Sequence, residues 1–196
     1  MATTRENKTI SQFKSQLIGG GARPNLFEVE LTTLPSGIAW PADNFRYMCK
    51  AAQLPESTIA NIDIPFRGRI FKVAGDRTIA PWSITVINDE DFRIRKAMEE
   101  WVDLIAKLEN NLGATDPNAY MVNAKVFQLG RGSTPSSKNN AGDRNAVLRE
   151  YEFIDIFPTS VSSIDLSYDS SDTIEEFTVD FAVQSFAFVD AGGPKG

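Results

Sequence analysis

The stretch WSITVINDEDFRIRKAMEEWVDLIAKLEN, residues 82–110, changes period part-way along, and that change decides the class of fold. Over its first five residues Trp82, Ile84 and Val86 recur at every second position, the mark of a strand with one buried face. Further on, Ile94, Met98, Trp101, Ile105 and Leu108 step by four and three, which makes one apolar stripe on a helix. Arg93, Lys96, Glu99, Glu100 and Asp103 fill its polar sides. Asn88 or Asp89 is placed to cap this helix, and Asp89, Glu90 and Asp91 would complement the positive end of its dipole. After Asn110-Asn111, Gly113 suits a left-handed C-terminal cap.

Upstream, Asn61–Phe66 and Arg69–Val73 read as the two arms of a hairpin or extended loop, with Pro65 and Gly68 tolerated only at an edge, bulge or bend. Gly75-Asp76 is expected to turn the chain. Phe45–Ala51 reads as a strand ending at Leu54-Pro55, and Leu26–Leu31 as an earlier one. Residues 1–21 form a polar arm that closes on Gly19-Gly20-Gly21, with one short helix around Ile10–Ile18. Downstream, Ala119–Gln128 is a strand, residues 129–145 a flexible Gly/Ser/Asn-rich inserted loop, and residues 190–196 a flexible tail. Three more strands are expected at Val147–Phe157, Val161–Tyr168 and Glu176–Val189, with a turn at Ser170-Ser171-Asp172 between the last two. The fold class is therefore α+β and mainly β: a single domain over 22–189, an antiparallel sandwich or barrel of seven to nine strands with one packed helix.

Composition narrows the function. The 196 residues contain no histidine, which removes the usual general base and the commonest metal ligand, and the single Cys49 allows no internal disulfide and no zinc site. The net charge of -6 opposes a grip on nucleic acid through phosphates. The acidity is concentrated late: from Glu150 onward ten carboxylates face only Lys195. No early apolar run behind a basic flank and no run of about 18 apolar residues occurs, so a soluble setting is expected, without signal peptide or membrane span.

Candidate chemistry is thin. Asp89 with Asp91 is the one carboxylate pairing dense enough for hydrolytic or cation-binding work, and its place at a helix start favours a capping role. Gly19-Gly20-Gly21 lacks the spacing of a phosphate cradle, and Ser133, Ser136 and Ser137 have no base to activate them. Arg67, Arg69, Lys72 and Arg77, with Asp76 among them and Phe66 and Phe71 interleaved, form the one basic concentration of the folded part. They read as a rim that pairs with a neighbouring subunit, as a solvated edge, or as a nucleic-acid surface. Several strands have large residues on both faces. Tyr151 and Phe153 oppose Leu148, Ile154 and Ile156, while Phe177, Val179, Phe181 and Val183 give way to Phe186 and Phe188 on the other side. That pattern calls for a bulge or for a second surface buried by a partner.

Three ordered segments carry a family resemblance: Ala22-Arg-Pro-Asn-Leu-Phe-Glu-Val-Glu30, Cys49-Lys-Ala-Ala-Gln-Leu-Pro55, and Val73-Ala-Gly-Asp-Arg-Thr78 leading through Pro81-Trp82 to Thr85-Val-Ile-Asn-Asp-Glu90. With Phe157-Pro-Thr-Ser-Val161 and Ile174-Glu-Glu-Phe-Thr-Val179 they resemble the tail tube protein of contractile-tailed, myovirus-type bacteriophages, from about Ala22 to Ala187. The resemblance implies a structural virion protein, not an enzyme. Its hexameric rings would stack into a hollow tube through strands that join an inter-subunit β-barrel, as the conduit for genome ejection. A baseplate tube initiator or a contractile secretion-system tube protein is the alternative. The implied partners are the chain itself, a sheath protein, a tube initiator, a tape measure protein and a terminator. DNA would pass without specific binding, no cofactor is implied, and assembly would occur in the host cytoplasm. On this reading Arg67, Arg69, Lys72, Asp76 and Arg77 are contact candidates between subunits or rings, and Glu152, Asp155, Glu176 and Asp180 are candidates for an acidic lumen.

Overall fold

In the computed structural model, residues 9–17, 21–31, 33–130 and 147–190 are described. The body is one six-stranded antiparallel sheet in the order β1-β6-β7-β8-β5-β2, built from β1 (Phe27–Glu30), β2 (Cys49–Ala52), β5 (Trp82–Ile87), β6 (Val122–Leu129), β7 (Val147–Val161) and β8 (Glu176–Asp190). Its outer strands β1 and β2 approach within 8 Å, so the sheet curls into a nearly closed barrel. β3 (Ser57–Phe66) and β4 (Arg69–Ile79) form a separate two-stranded ribbon. Three α-helices accompany the strands: α1 (Ile10–Gln16), α2 (Ala42–Met48) and α3 (Arg93–Ile105).

The periods read over 82–110 hold where they matter. Trp82, Ile84 and Val86 are buried, and α3 presents Ile94, Ala97, Met98 and Trp101 to the same core. Trp82 stacks on Phe153 at 4.4 Å between ring centroids, and Trp101 lies 5.8 Å from Phe181. Each buried indole N–H is satisfied: Trp82 donates to the Gln53 carbonyl at 2.9 Å and Trp101 to that of Tyr120 at 2.8 Å.

The ends of α3 differ from expectation. The helix starts at Arg93, after Phe92 in a left-handed conformation with φ 53°, and no side chain caps it. Asp89 instead sits in the preceding turn, where its carbonyl accepts the Phe92 N–H at 3.0 Å and its carboxylate accepts Asn44 Nδ2 at 2.9 Å. At the other end α3 stops at Ile105, and Leu108 is 97% exposed rather than buried. The left-handed residue is Asn111; Gly113 serves close approach, since a Cβ there would lie 1.8 Å from the Ile105 carbonyl oxygen.

Four further readings are corrected. Phe45–Met48 is helical, as the end of α2, and the strand begins only at Cys49. Phe45 and Cys49 satisfy a period of two and an i, i+4 step equally, and packing of Phe45 against Trp40 at 4.9 Å decides for the helix. Gly75 and Asp76 do not turn the chain but lie in a bulge of β4, where a Cβ on Gly75 would come within 3.0 Å of the Ala60 carbonyl oxygen. β7 runs through Pro158 to Val161. It borders only β8 beyond Ile156, so the missing proline N–H falls at an edge. No strand spans Val161–Tyr168; residues 162–175 are the irregular connection to β8.

Asp155, with φ 54°, marks a bulge in β7 that resolves its two-faced pattern. Phe153 and Ile156, three apart, both enter the core, and their partners Phe186 and Val183 on β8 shift in concert. Of the predicted flexible segments, residues 1–8, 18–20, 131–146 and 191–196 lie outside the described residues, while Leu129 still belongs to β6 and Asp190 to β8.

Candidate assembly surface

The β3–β4 ribbon is a hairpin closed by Arg67-Gly68, whose φ values of 47° and 83° are those of a two-residue turn matching strand twist. Alternation divides its side chains. Ile62 faces Val73, Ile64 faces Phe71 and Phe66 faces Arg69 on one side; Asn61 faces Ala74, Asp63 faces Lys72 and Pro65 faces Ile70 on the other. The first side is an apolar strip left in water: Ile64 is 46% exposed and Phe66 65%. Every residue of β3 is exposed, and β4 approaches the body beside β8. A two-stranded ribbon whose apolar face is left open by the described residues is marginal by itself.

The five basic-segment candidates all fall on this ribbon, at different places. Arg67 occupies the turn with its guanidinium 5.5 Å from the Phe66 ring, and Arg69 ends the apolar strip. Lys72 lies opposite Asp63 and Arg77 opposite Ile59 on the polar side, and Asp76 sits in the bulge. Among the described residues none of the five forms an ion pair. The apolar strip itself was the part of the site the basic residues masked; its signal was the even-numbered run Ile62, Ile64, Phe66.

The second surface is the outward face of the barrel sheet. The register places Glu152, Glu176 and Asp180 there, together with Glu28, Glu30 and Glu150, which sequence reasoning did not single out. Asp155 stands apart in its bulge, exposed, its N–H donating to Asn123 Oδ1 at 3.1 Å. Three cations reach this face. Arg46 spans Glu28 at 3.0 Å and Glu30 at 3.3 Å, Lys50 pairs with Glu176, and Lys125 meets Glu150 at 2.9 Å. The hydrogen bond to Glu150 raises the Lys125 pKa above its ordinary value, against partial burial and with added attraction from Glu150, Glu152 and Glu30. Asp180 accepts hydroxyls from Ser83 and Ser160. Among the described residues, six carboxylates lie on this face and Arg46, Lys50 and Lys125 reach it.

Edges complete the picture. β5 covers β8 only from Glu176 to Phe181, so among the described residues 182–190 of β8 pair with β7 alone. The lower end of β7 past Ile156 likewise lacks β6. Long open edges of this kind invite another chain. Asp89 turns to Asn44 and Asp91 to Arg93, so the two carboxylates do not converge. Among the described residues no three Asp, Glu or Cys side chains are grouped to hold a metal. Cys49 is buried, which pushes its thiol up to about 12 and keeps it protonated.

A nearly closed sheet with open strand edges and an exposed apolar ribbon are the features this chain offers for comparison with known proteins. The chain belongs to the phage tail tube protein family, whose model matches residues 22–189. It is 34% identical over 165 residues to the tail tube protein gp19 of Enterobacteria phage T4, covering 84% of this chain and 90% of that one. It is 23% identical over 175 residues to the tail tube protein of Serratia phage KSP90, covering 88% and 92%. Among solved structures, the tube-terminating cap of the anti-feeding prophage shares the fold with a TM-score of 0.57 at 17% identity, over 97% of this chain and all of that one. A chain of the sheath–tube complex of an extracellular contractile injection system shares it with a TM-score of 0.51 at 13% identity, over 94% and 99%. The protein is thus a structural tail component rather than an enzyme, as the ordered family segments led one to expect.

Proposed function

We propose that the chain assembles into six-fold rings that stack into the hollow inner tube of a contractile phage tail, the conduit for the genome. The observation that carries this reading is the apolar strip Ile62, Ile64, Phe66, Phe71 and Val73, which only a neighbouring copy of fixed geometry would cover repeatedly. Each such side chain contributes roughly 1.5–3 kcal/mol when fully buried, enough in sum to drive ordered association. Open edges on β8 and β7 allow strands of adjacent copies to pair, closing a barrel between subunits. The acidic outward face, with Glu152, Glu176 and Asp180, then lines the lumen and repels the DNA backbone, so that DNA slides without binding. Arg67, Arg69, Lys72, Asp76 and Arg77 make charged contacts to the next subunit or ring. A sheath protein, a baseplate initiator, a tape measure protein and a terminator complete the machine, assembled in the host cytoplasm and without a membrane partner.

Electron microscopy of the purified protein tests this directly: long hollow filaments with six-fold end views are expected. Isolated short rings would identify a tube initiator instead, and monomers at every concentration would overturn assembly altogether. Arg69→Glu with Arg77→Glu should leave the monomer folded and shorten the tubes; wild-type tube lengths would remove these two residues from the interface.

A further inference from the structure

The β3–β4 ribbon and the connection 162–175 join the body at opposite ends of β5. Both arms of the ribbon are tied in beside Trp82: the Gln53 N–H donates to the Ser83 carbonyl at 3.4 Å, and the Ala80 N–H to that of Glu56 at 3.1 Å. The connection leaves β7 at Val161 and enters β8 at Glu176, which is in register with Ile87. Asn88 fastens its end, donating to the Glu175 carbonyl from its backbone and to the Glu175 carboxylate from Nδ2, both at 2.9 Å. Five steps of strand, roughly 17 Å, separate the two attachments.

The two surfaces are opposite in charge, and both hold apolar side chains in water. Residues 57–79 carry Arg67, Arg69, Lys72 and Arg77 against Asp63 and Asp76, whereas 162–176 carry five carboxylates and no cation. Asp165, Asp169 and Asp172 are exposed, and among the described residues none of them forms an ion pair. The Ser170 N–H closes a turn on the Ser167 carbonyl at 3.2 Å, with Tyr168 and Asp169 exposed at its corner. Leu166 and Ile174 beside it are 79% and 71% exposed. They border an open hollow of about 230 Å³ into which Asp165 and Glu175 bring carboxylates, and Ser167, Ser170 and Thr173 hydroxyls. Such a hollow offers acceptors to a guanidinium fork and an apolar rim to a ring. The turn of the ribbon presents that pairing, with Arg67 placed 5.5 Å from the exposed Phe66 ring and Arg69 in register with Phe66.

Within one chain the two surfaces do not cover each other. Phe66, Arg67 and Arg69 are exposed, and so are Asp165, Leu166 and Tyr168. We propose that the ribbon turn of one copy seats on the 162–175 connection of a second copy stacked end to end with it. Phe66 packs on Leu166 and Tyr168, while Arg67 and Arg69 face the carboxylates of the hollow. A contact between opposite ends of the same chain repeats from copy to copy instead of closing on a dimer, which is the symmetry a tube requires. The proposal rests on the tube reading above and adds to it the surface that receives the ribbon.

A charge exchange tests it. Arg67→Asp with Arg69→Asp, and separately Asp165→Arg with Asp169→Arg, should each raise the protein concentration needed for tubes severalfold while the monomer stays folded by circular dichroism. All four substitutions together should bring that concentration back towards the wild-type value. No rise in either double variant, or no recovery in the combined one, overturns the ribbon–connection contact. Independently, Phe66→Cys with Leu166→Cys, both apart from the buried Cys49 thiol, should give a ladder of disulfide-linked multimers from mildly oxidised tubes on a non-reducing gel, absent from either single variant. Tubes with no ladder, or with only an intrachain cross-link, overturn the contact and leave the tube reading standing. A wild-type chain that forms no tube or ring overturns both.

Discussion

The barrel body and the β3–β4 ribbon obey the same alternation and meet opposite fates. In β5 the alternate residues Trp82, Ile84 and Val86 are buried to within 2% of full burial, whereas in β3 Ile62, Ile64 and Phe66 stand in the same pattern and remain exposed. Period alone reports that a strand has an apolar face; it does not report whether the chain itself supplies the cover. In the body, α3 and the curling of the sheet supply it. On the ribbon, the described residues leave it open.

The largest effects should separate the two regions. Trp101→Ala removes a fully buried side chain from the core and should cost about 3–5 kcal/mol in monomer stability, read by denaturant unfolding. Ile64→Ser with Phe71→Ser should cost the monomer no more than about 1 kcal/mol, because both side chains are roughly half exposed or more and face each other without introducing charge, and yet abolish tubes in sedimentation and microscopy. A large loss of monomer stability in that double variant would show that the ribbon is held by its own chain, and the contrast would collapse.

The next effect is confined to alkaline solution and to the body. The Cys49 thiol is pushed from 9.0 to about 12 by burial, so the folded state keeps a proton that the unfolded chain releases above pH 9. Stability from this source is complete below pH 9 and is lost as pH rises towards 12, on the order of 1 kcal/mol per pH unit. Lys125 acts with the same sign in a higher window. Its raised pKa, due first to Glu150, gives stability that is full below 10.5 and lost as pH rises through the folded-state value. Cys49→Ala should therefore flatten the decline of stability above pH 9 and leave a shallower one from Lys125. An unchanged slope would mean that the thiol is not protected as its burial requires.

These regions also differ in how far the sequence disclosed them. Trp82–Val86 and the α3 stripe from Ile94 to Trp101 were legible because each satisfies a single period, and Glu176–Val189 was legible as a strand because its apolar residues alternate on either side of one change of face. Phe45–Cys49 fits two periods at once, and only the Trp40 contact separates them. The acidic group at 89–91 met the composition rule for a helix start, but the chain spends Asp89 on a turn and on Asn44 instead. The outward acidic face was half legible: Glu152, Glu176 and Asp180 could be guessed from the late excess of charge. Glu28 and Glu30 enter it only through the pairing of β1 with β6, which no local pattern encodes.

The smallest effect probes the place where β7 departs from alternation beside its core residues. Asp155 holds φ 54°, a left-handed conformation that costs a non-glycine residue about 1 kcal/mol, and it does so to carry β7 and β8 across the three-residue step that sends Phe153 and Ile156 to the same side. Its side chain is exposed, so a glycine there loses no buried contact. Asp155→Gly should then stabilise the monomer by up to about 1 kcal/mol, offset in part by the extra freedom of glycine in the unfolded chain. Asp155→Val, whose branched side chain resists that conformation, should destabilise it by more than the glycine gains. Paired denaturation curves read both signs. If the valine variant were as stable as wild type, β7 would run without the bulge. Phe153 and Ile156 would then face opposite ways, and the body too would need a neighbour to bury its second apolar face.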